Sequence, residues 1–128
     1  MQITTFSILG IMISCLLPYF WTGFAKITSK TYNNSTTRDS AEKFSGKSRR
    51  AHFAHLNSFE AIPFFAVSVL IAHINNVTES TIHTLIAVYL FFRILYGCFY
   101  IFDFPNLRSI VWFFALICNV ALIALAIP

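Results

Sequence analysis

Apolar residues run almost unbroken through four stretches of this chain, and polar residues collect between them. The first stretch extends from Ile3 to about Ile27 and the second from Arg49–Ala51 to about Ile74. The third spans Ile82 to Phe102 and the fourth Leu107 to Ile127. None alternates with the period of two that a half-buried strand shows. Each is close to the roughly 20 residues that a helix needs to cross a bilayer. The pattern predicts an all-α membrane protein, a four-helix transmembrane bundle, because backbone groups in lipid must be satisfied within their own segment. Residues 28–48 are polar and form the one long loop, Asn75-Asn76 ends the second helix, and Asp103, Pro105 and Asn106 separate the third from the fourth. Asn106 is the expected N-cap of the last helix. Pro18 is expected to kink the first helix, and Pro63 to bend the second within its first turns. The first run is too long for a signal-peptide core and no small-residue cleavage site follows it, so it reads as a retained helix.

Composition strengthens this picture. The chain is 57% hydrophobic and 11% charged, whereas soluble domains average about 45–50% and about 25%. A water-soluble globule and a disordered chain are both excluded. The 128 residues suit a single domain, residues 1–128. Of the nine basic residues, seven (Lys26, Lys30, Arg38, Lys43, Lys47, Arg49 and Arg50) fall in or beside the long loop. A nucleic-acid binder would carry such a cluster on a polar domain. Between two apolar runs it is a topology signal instead. It places the long loop and the Asp103–Arg108 turn in the cytoplasm and both termini outside. The glycosylation-type triplet Asn34-Ser35-Thr36 then lies on the wrong side to be used. Cys15, Cys98 and Cys118 sit inside apolar runs without metal-ligand spacing and read as buried thiols.

Polar groups inside membrane spans are costly and face a bundle interior or a cavity. On the second helix Arg49, Arg50, Phe53, Asn57 and Glu60 project onto one stripe about 100° wide, with His52 and His55 roughly opposite. On the third, Tyr89, Arg93, Tyr96, Tyr100 and Asp103 also share about 80°. Arg108 and Ser109 open the fourth helix at the same level. Bland readings exist for each group: Glu60 and Arg93 pairing only for register, the tyrosines forming an interfacial belt, Arg49 and Arg50 anchoring topology. The four histidines lack partners at metal-ligand spacing.

Residues 50–65, Arg50-Ala51-His52-Phe53-Ala54-His55-Leu56-Asn57-Ser58-Phe59-Glu60-Ala61-Ile62-Pro63-Phe64-Phe65, resemble the helix-two signature of the MAPEG family, the membrane-associated proteins of eicosanoid and glutathione metabolism. Residues Arg93 to Tyr100, followed by Leu107-Arg108-Ser109, are similar to its helix-three and helix-four signature. The resemblance covers the whole chain and is strongest to bacterial members. It implies a homotrimer in a bacterial inner membrane, with sites between subunits that bind glutathione as cosubstrate and face the cytoplasm. It further implies Arg50, Asn57, Glu60, Arg93, Tyr96 and Ser109 as glutathione-binding residues. Arg108 and Tyr100 are implied as catalytic. Lys26 stands near the family's basic residue on helix one. Phe53 stands where many eukaryotic members have arginine, and Ala61 replaces an aromatic residue of leukotriene-synthase-like members.

The chemistry agrees with that implication. Glutathione offers two carboxylates, an ammonium and a thiol. Arginine forks suit carboxylates, and Glu60 is the one carboxylate on its stripe. A thiol with an ordinary pKa of about 8.5 needs a neighbouring cation to be thiolate at neutral pH. A shift of two units corresponds to roughly 2.7 kcal/mol. The sequence therefore predicts a glutathione transferase or peroxidase acting on a lipophilic electrophile, with membrane lipid and a second and third copy as partners and no nucleic acid or metal. The alternatives are a non-catalytic membrane protein and a small four-span transporter. Such carriers need a carboxylate in the first helix, and residues 1–27 contain none.

Overall fold

A computed structural model describes residues 2–128. Its long helices are α1 (Thr5–Thr28), α3 (Gly46–Ile74), α4 (Glu79–Ile101) and α5 (Pro105–Leu125), with a short α2 (Thr37–Glu42) between the first two. The four long helices, of 24, 29, 23 and 21 residues, are long and apolar enough to cross a membrane. No strand forms among the described residues. The chain is thus an integral, multi-pass membrane protein with a four-helix bundle. α1 packs mainly on α3 and α4 mainly on α5, while α3 also meets α4 and α5.

Sharp turns keep successive helices antiparallel. α3 and α4 each end with a residue in the left-handed region, Asn76 (φ 56°) and Asp103 (φ 65°). Beyond them Val77 N donates back to Ala72 O (3.0 Å) and Phe104 N to Phe99 O (2.9 Å), closing the last helical carbonyls. Asn and Asp tolerate this conformation better than other side-chain-bearing residues. α5 then starts at Pro105 with Phe104 as its cap residue. The expected cap, Asn106, lies inside the helix instead. Proline fits the first helical position, where its missing N–H costs nothing.

Three further expectations are revised. α3 begins at Gly46, earlier than the apolar run, because Gly46 itself takes φ 53° and turns the chain into the helix. Pro63 is therefore mid-helix, and α3 continues through it. The long polar segment is not featureless: it holds a 3₁₀ turn (Asn34–Thr36) and α2. Buried Phe44 anchors it against Trp21, Ala25 and Ala51, and Ser40 Oγ accepts from Asn33 N at 3.0 Å.

Two apolar clusters fill the bundle. One contains Phe65, Val69, Ile82, Ile86, Tyr89, Cys118 and Leu122; the other, nearer the long loop, contains Trp21, Ala25, Ala51, Ala54 and Ile101. Gly97 lets the Trp21 ring lie directly against α4, and a Cβ there would overlap that ring. Gly10 plays the same part against Ile86, whose Cγ2 would stand 2.5 Å from a Cβ. Gly23 faces open space. Between the two clusters α3 carries Asn57–Glu60 and α4 carries Arg93–Tyr96, so a polar layer interrupts the core.

Candidate functional site

The polar layer is organised around Arg93, which is only 3% exposed. Its Nη2 donates to Asn57 Oδ1 at 3.0 Å and to Ser58 Oγ at 3.4 Å. Its guanidinium also lies over the Tyr96 ring, 4.7 Å from the centroid. Asn57 in turn donates through Nδ2 to Glu60 Oε2 at 3.4 Å. Arg93 and Glu60 therefore communicate through the amide, with no contact within 4 Å between them. A buried charge needs such hydrogen bonds to offset its lost hydration. Glu60 itself stays exposed, with its carboxylate free to take another cation.

The second cluster lies toward the α4–α5 turn. Arg108, in the first turn of α5, stacks over the Tyr100 ring at 4.3 Å. Tyr100 meets Tyr96 edge to face, with centroids 5.6 Å apart. Ser109 Oγ donates to Pro105 O at 3.1 Å, the usual back-bond of a hydroxyl one helical turn on, and its oxygen remains able to accept.

Each cluster lines a cavity. Asn57, Glu60, Tyr89, Arg93 and Asn119 contribute to an inner one of about 180 Å³, walled by Phe64, Trp112 and Leu116. Tyr96, Tyr100, Arg108, Ser109, Trp112 and Phe113 line an outer one of about 450 Å³. Trp112 is common to both, so the cavities stack along one seam between α3, α4 and α5. The helical period explains the alignment: Arg108, Trp112, Ala115 and Asn119 lie within about 60° on α5, as Tyr89, Arg93, Tyr96 and Tyr100 do on α4.

Seven of the eight expected site residues line this seam. Arg50 does not. Its Nε donates to Ile101 O at 3.0 Å, and its Nη1 is 3.9 Å from Asp103 Oδ2. The expected α3 stripe splits at this end, because α4 terminates beside Arg50 and offers an unpaired carbonyl. Arg49 turns the other way, over Phe53 at 5.5 Å, beside Arg38 and Glu42. Sequence reasoning missed Ser58, Trp112 and Asn119. Asn119 was detectable, being the one amide in the fourth apolar run and eleven residues from Arg108.

Three of the four histidines face α1 or its N-cap. His55 donates from Nδ1 to Pro18 O at 2.8 Å. His73 Nε2 pairs with Ser7 Oγ and His83 Nε2 with Thr4 Oγ1, both at 2.8 Å. Among the described residues no cluster of His, Cys, Asp or Glu is placed to hold a metal.

Fold and seam together define a four-span membrane protein with polar and aromatic groups recessed between its helices. Residues 3–128 match the model of the MAPEG family, and the chain belongs to that family, which includes glutathione transferases and peroxidases. No match to it was found among curated proteins or among solved structures.

Proposed function

We propose that this protein is a glutathione-dependent transferase or peroxidase acting on lipophilic electrophiles. The observation that carries the reading is the stacking of the two cavities: an arginine–tyrosine pair in the outer one and a free carboxylate in the inner one, on a single seam. Glu60 takes the glutathione ammonium, with Asn57 and Arg93 fixing its orientation from behind. Arg108 and Tyr100 meet the thiol. The guanidinium stays charged at any working pH, so it holds negative charge on sulfur rather than removing the proton. The positive end of the α5 dipole acts in the same sense. Tyr100 donates a hydrogen bond to the same sulfur, Tyr96 forms the wall behind it, and Ser109 accepts from a peptide N–H. Arg50 serves by clamping the α4–α5 turn that carries Tyr100 and Arg108.

Pocket size supports a homotrimer. Sites that bury a drug-sized ligand span about 300–1,000 Å³; the inner cavity is smaller and the outer one opens sideways past exposed Trp112 and Phe113. A neighbouring subunit on that side would close the site, and an electrophile would enter from the bilayer beside it. In this reading the site faces the cytoplasm, since the basic loop and the Asp103–Arg108 turn share one end of the bundle.

A second reading is a structural subunit, in which the Arg93–Asn57–Glu60 chain only fixes helix register. Calorimetric titration of the purified protein with glutathione separates the two. Saturable binding that Glu60→Gln weakens supports the enzyme; no binding to intact, monodisperse protein supports the structural subunit.

A further inference from the structure

Asn119 lies on α5 about 16 Å along the helix axis from Arg108, well inside the apolar span. It is 3% exposed, and its Oδ1 has no hydrogen-bond partner within the protein. A buried acceptor left unpaired in a hydrocarbon environment is costly. Burial inside the subunit keeps it from pairing with a neighbouring chain. Arg93, the strongest donor on the same cavity, is directed at Asn57 and Ser58. Asn57, Glu60 and Tyr89 also line that cavity, none of them paired with Oδ1, and its apolar walls are Phe64, Trp112 and Leu116.

We propose that Asn119 is a specificity-determining residue for the lipophilic substrate, its side-chain carbonyl accepting a hydrogen bond from a hydroxyl or hydroperoxy group. The inner cavity thus selects elongated apolar molecules that carry a donor over those that do not. Trp112, shared by both cavities, sets the molecule's course from the inner acceptor toward the Arg108–Tyr100 pair. This deepens the transferase or peroxidase reading and rests on it for the identity of the second substrate, but the selectivity itself is measurable without glutathione.

The test uses full-length protein in lipid nanodiscs and two isomeric probes of matched length, tritiated 1-decanol and nonyl methyl ether, each corrected for partition into empty discs. One hydrogen bond of ordinary net strength predicts a preference for the alcohol of about five- to tenfold in the wild type. Asn119→Leu should reduce that preference to within about twofold. A wild type without preference, or a preference that survives Asn119→Leu, overturns the assignment. If Asn119→Leu does not fold, Leu116→Trp takes its place, since it fills the cavity while keeping the amide. Alcohol binding should then fall about tenfold, and unchanged binding overturns the assignment equally. A parallel glutathione titration keeps the two readings apart. Alcohol preference without glutathione binding sinks the glutathione reading alone, and glutathione binding without alcohol preference sinks this one alone.

Discussion

On the side of the bundle where α1 packs, His55, His73 and His83 each reach a carbonyl or hydroxyl of α1 or its N-cap at 2.8 Å. On the side where α5 packs, Glu60 remains exposed, Asn119 Oδ1 has no partner, and Arg108 rests on an aromatic face. Both seams run along α3 and α4, and both are polar. The first uses its histidines in holding helices together and leaves only the packed Trp21 Nε1 unpaired; the second leaves its polar groups directed at cavities. Polarity inside a membrane span therefore marks function where an incomplete hydrogen-bond inventory also faces a cavity.

Substitutions should separate the seams. On the α5 side, Glu60→Gln and Asn57→Ala should weaken glutathione binding by about 2–5 kcal/mol, the usual cost of removing one partner of a desolvated charged contact. Calorimetry reads this directly, and His55→Ala measured alongside should leave the affinity within about twofold. Equal losses in all three would mean that the two seams are not distinct.

On the α1 side the largest effect belongs to packing. Gly97→Ala drives a methyl group into the Trp21 ring and should lower stability by about 1–3 kcal/mol, as overpacked cores do. Thermal unfolding in detergent, followed by circular dichroism, measures it. Gly23→Ala, which meets nothing, is the control and should not destabilise. The smallest effect is expected for His55→Ala, about 0.5–1.5 kcal/mol of stability for one hydrogen bond.

Much of this arrangement can be read from the chain before any coordinates. The four spans follow from uninterrupted apolar runs, and the α4 face of Tyr89, Arg93, Tyr96 and Tyr100 follows from helical spacing alone. What escaped the reading depends on where one helix ends beside another. Arg50 shares a stripe with Asn57, yet the free carbonyl of Ile101 and the Asp103 carboxylate lie within its reach, and no periodicity in α3 encodes that. The six-residue α2 is too short to show a period, and its position depends on the burial of Phe44. Asn106 has the right chemistry for a cap, but Pro105 fits the first helical position better. Asn119 shares the helical face of Arg108, but its spacing does not show that its side-chain oxygen is unpaired; its significance comes from the cavity it faces.

Arg108 is where the two seams differ most in consequence, since a cation in the outer cavity is useful only if negative charge develops beside it. Ultraviolet absorbance of the glutathione thiolate, followed against pH in complexes with wild type and with Arg108→Ala, tests this without knowledge of the electrophile. If Arg108 holds the thiolate, the wild-type complex should titrate about two pH units below free glutathione, equivalent to roughly 2.7 kcal/mol. The variant should return most of the way to the free value while losing less in glutathione affinity. Superimposable titration curves for the two proteins would remove Arg108 from the chemistry and leave it as an anchor at the helix end.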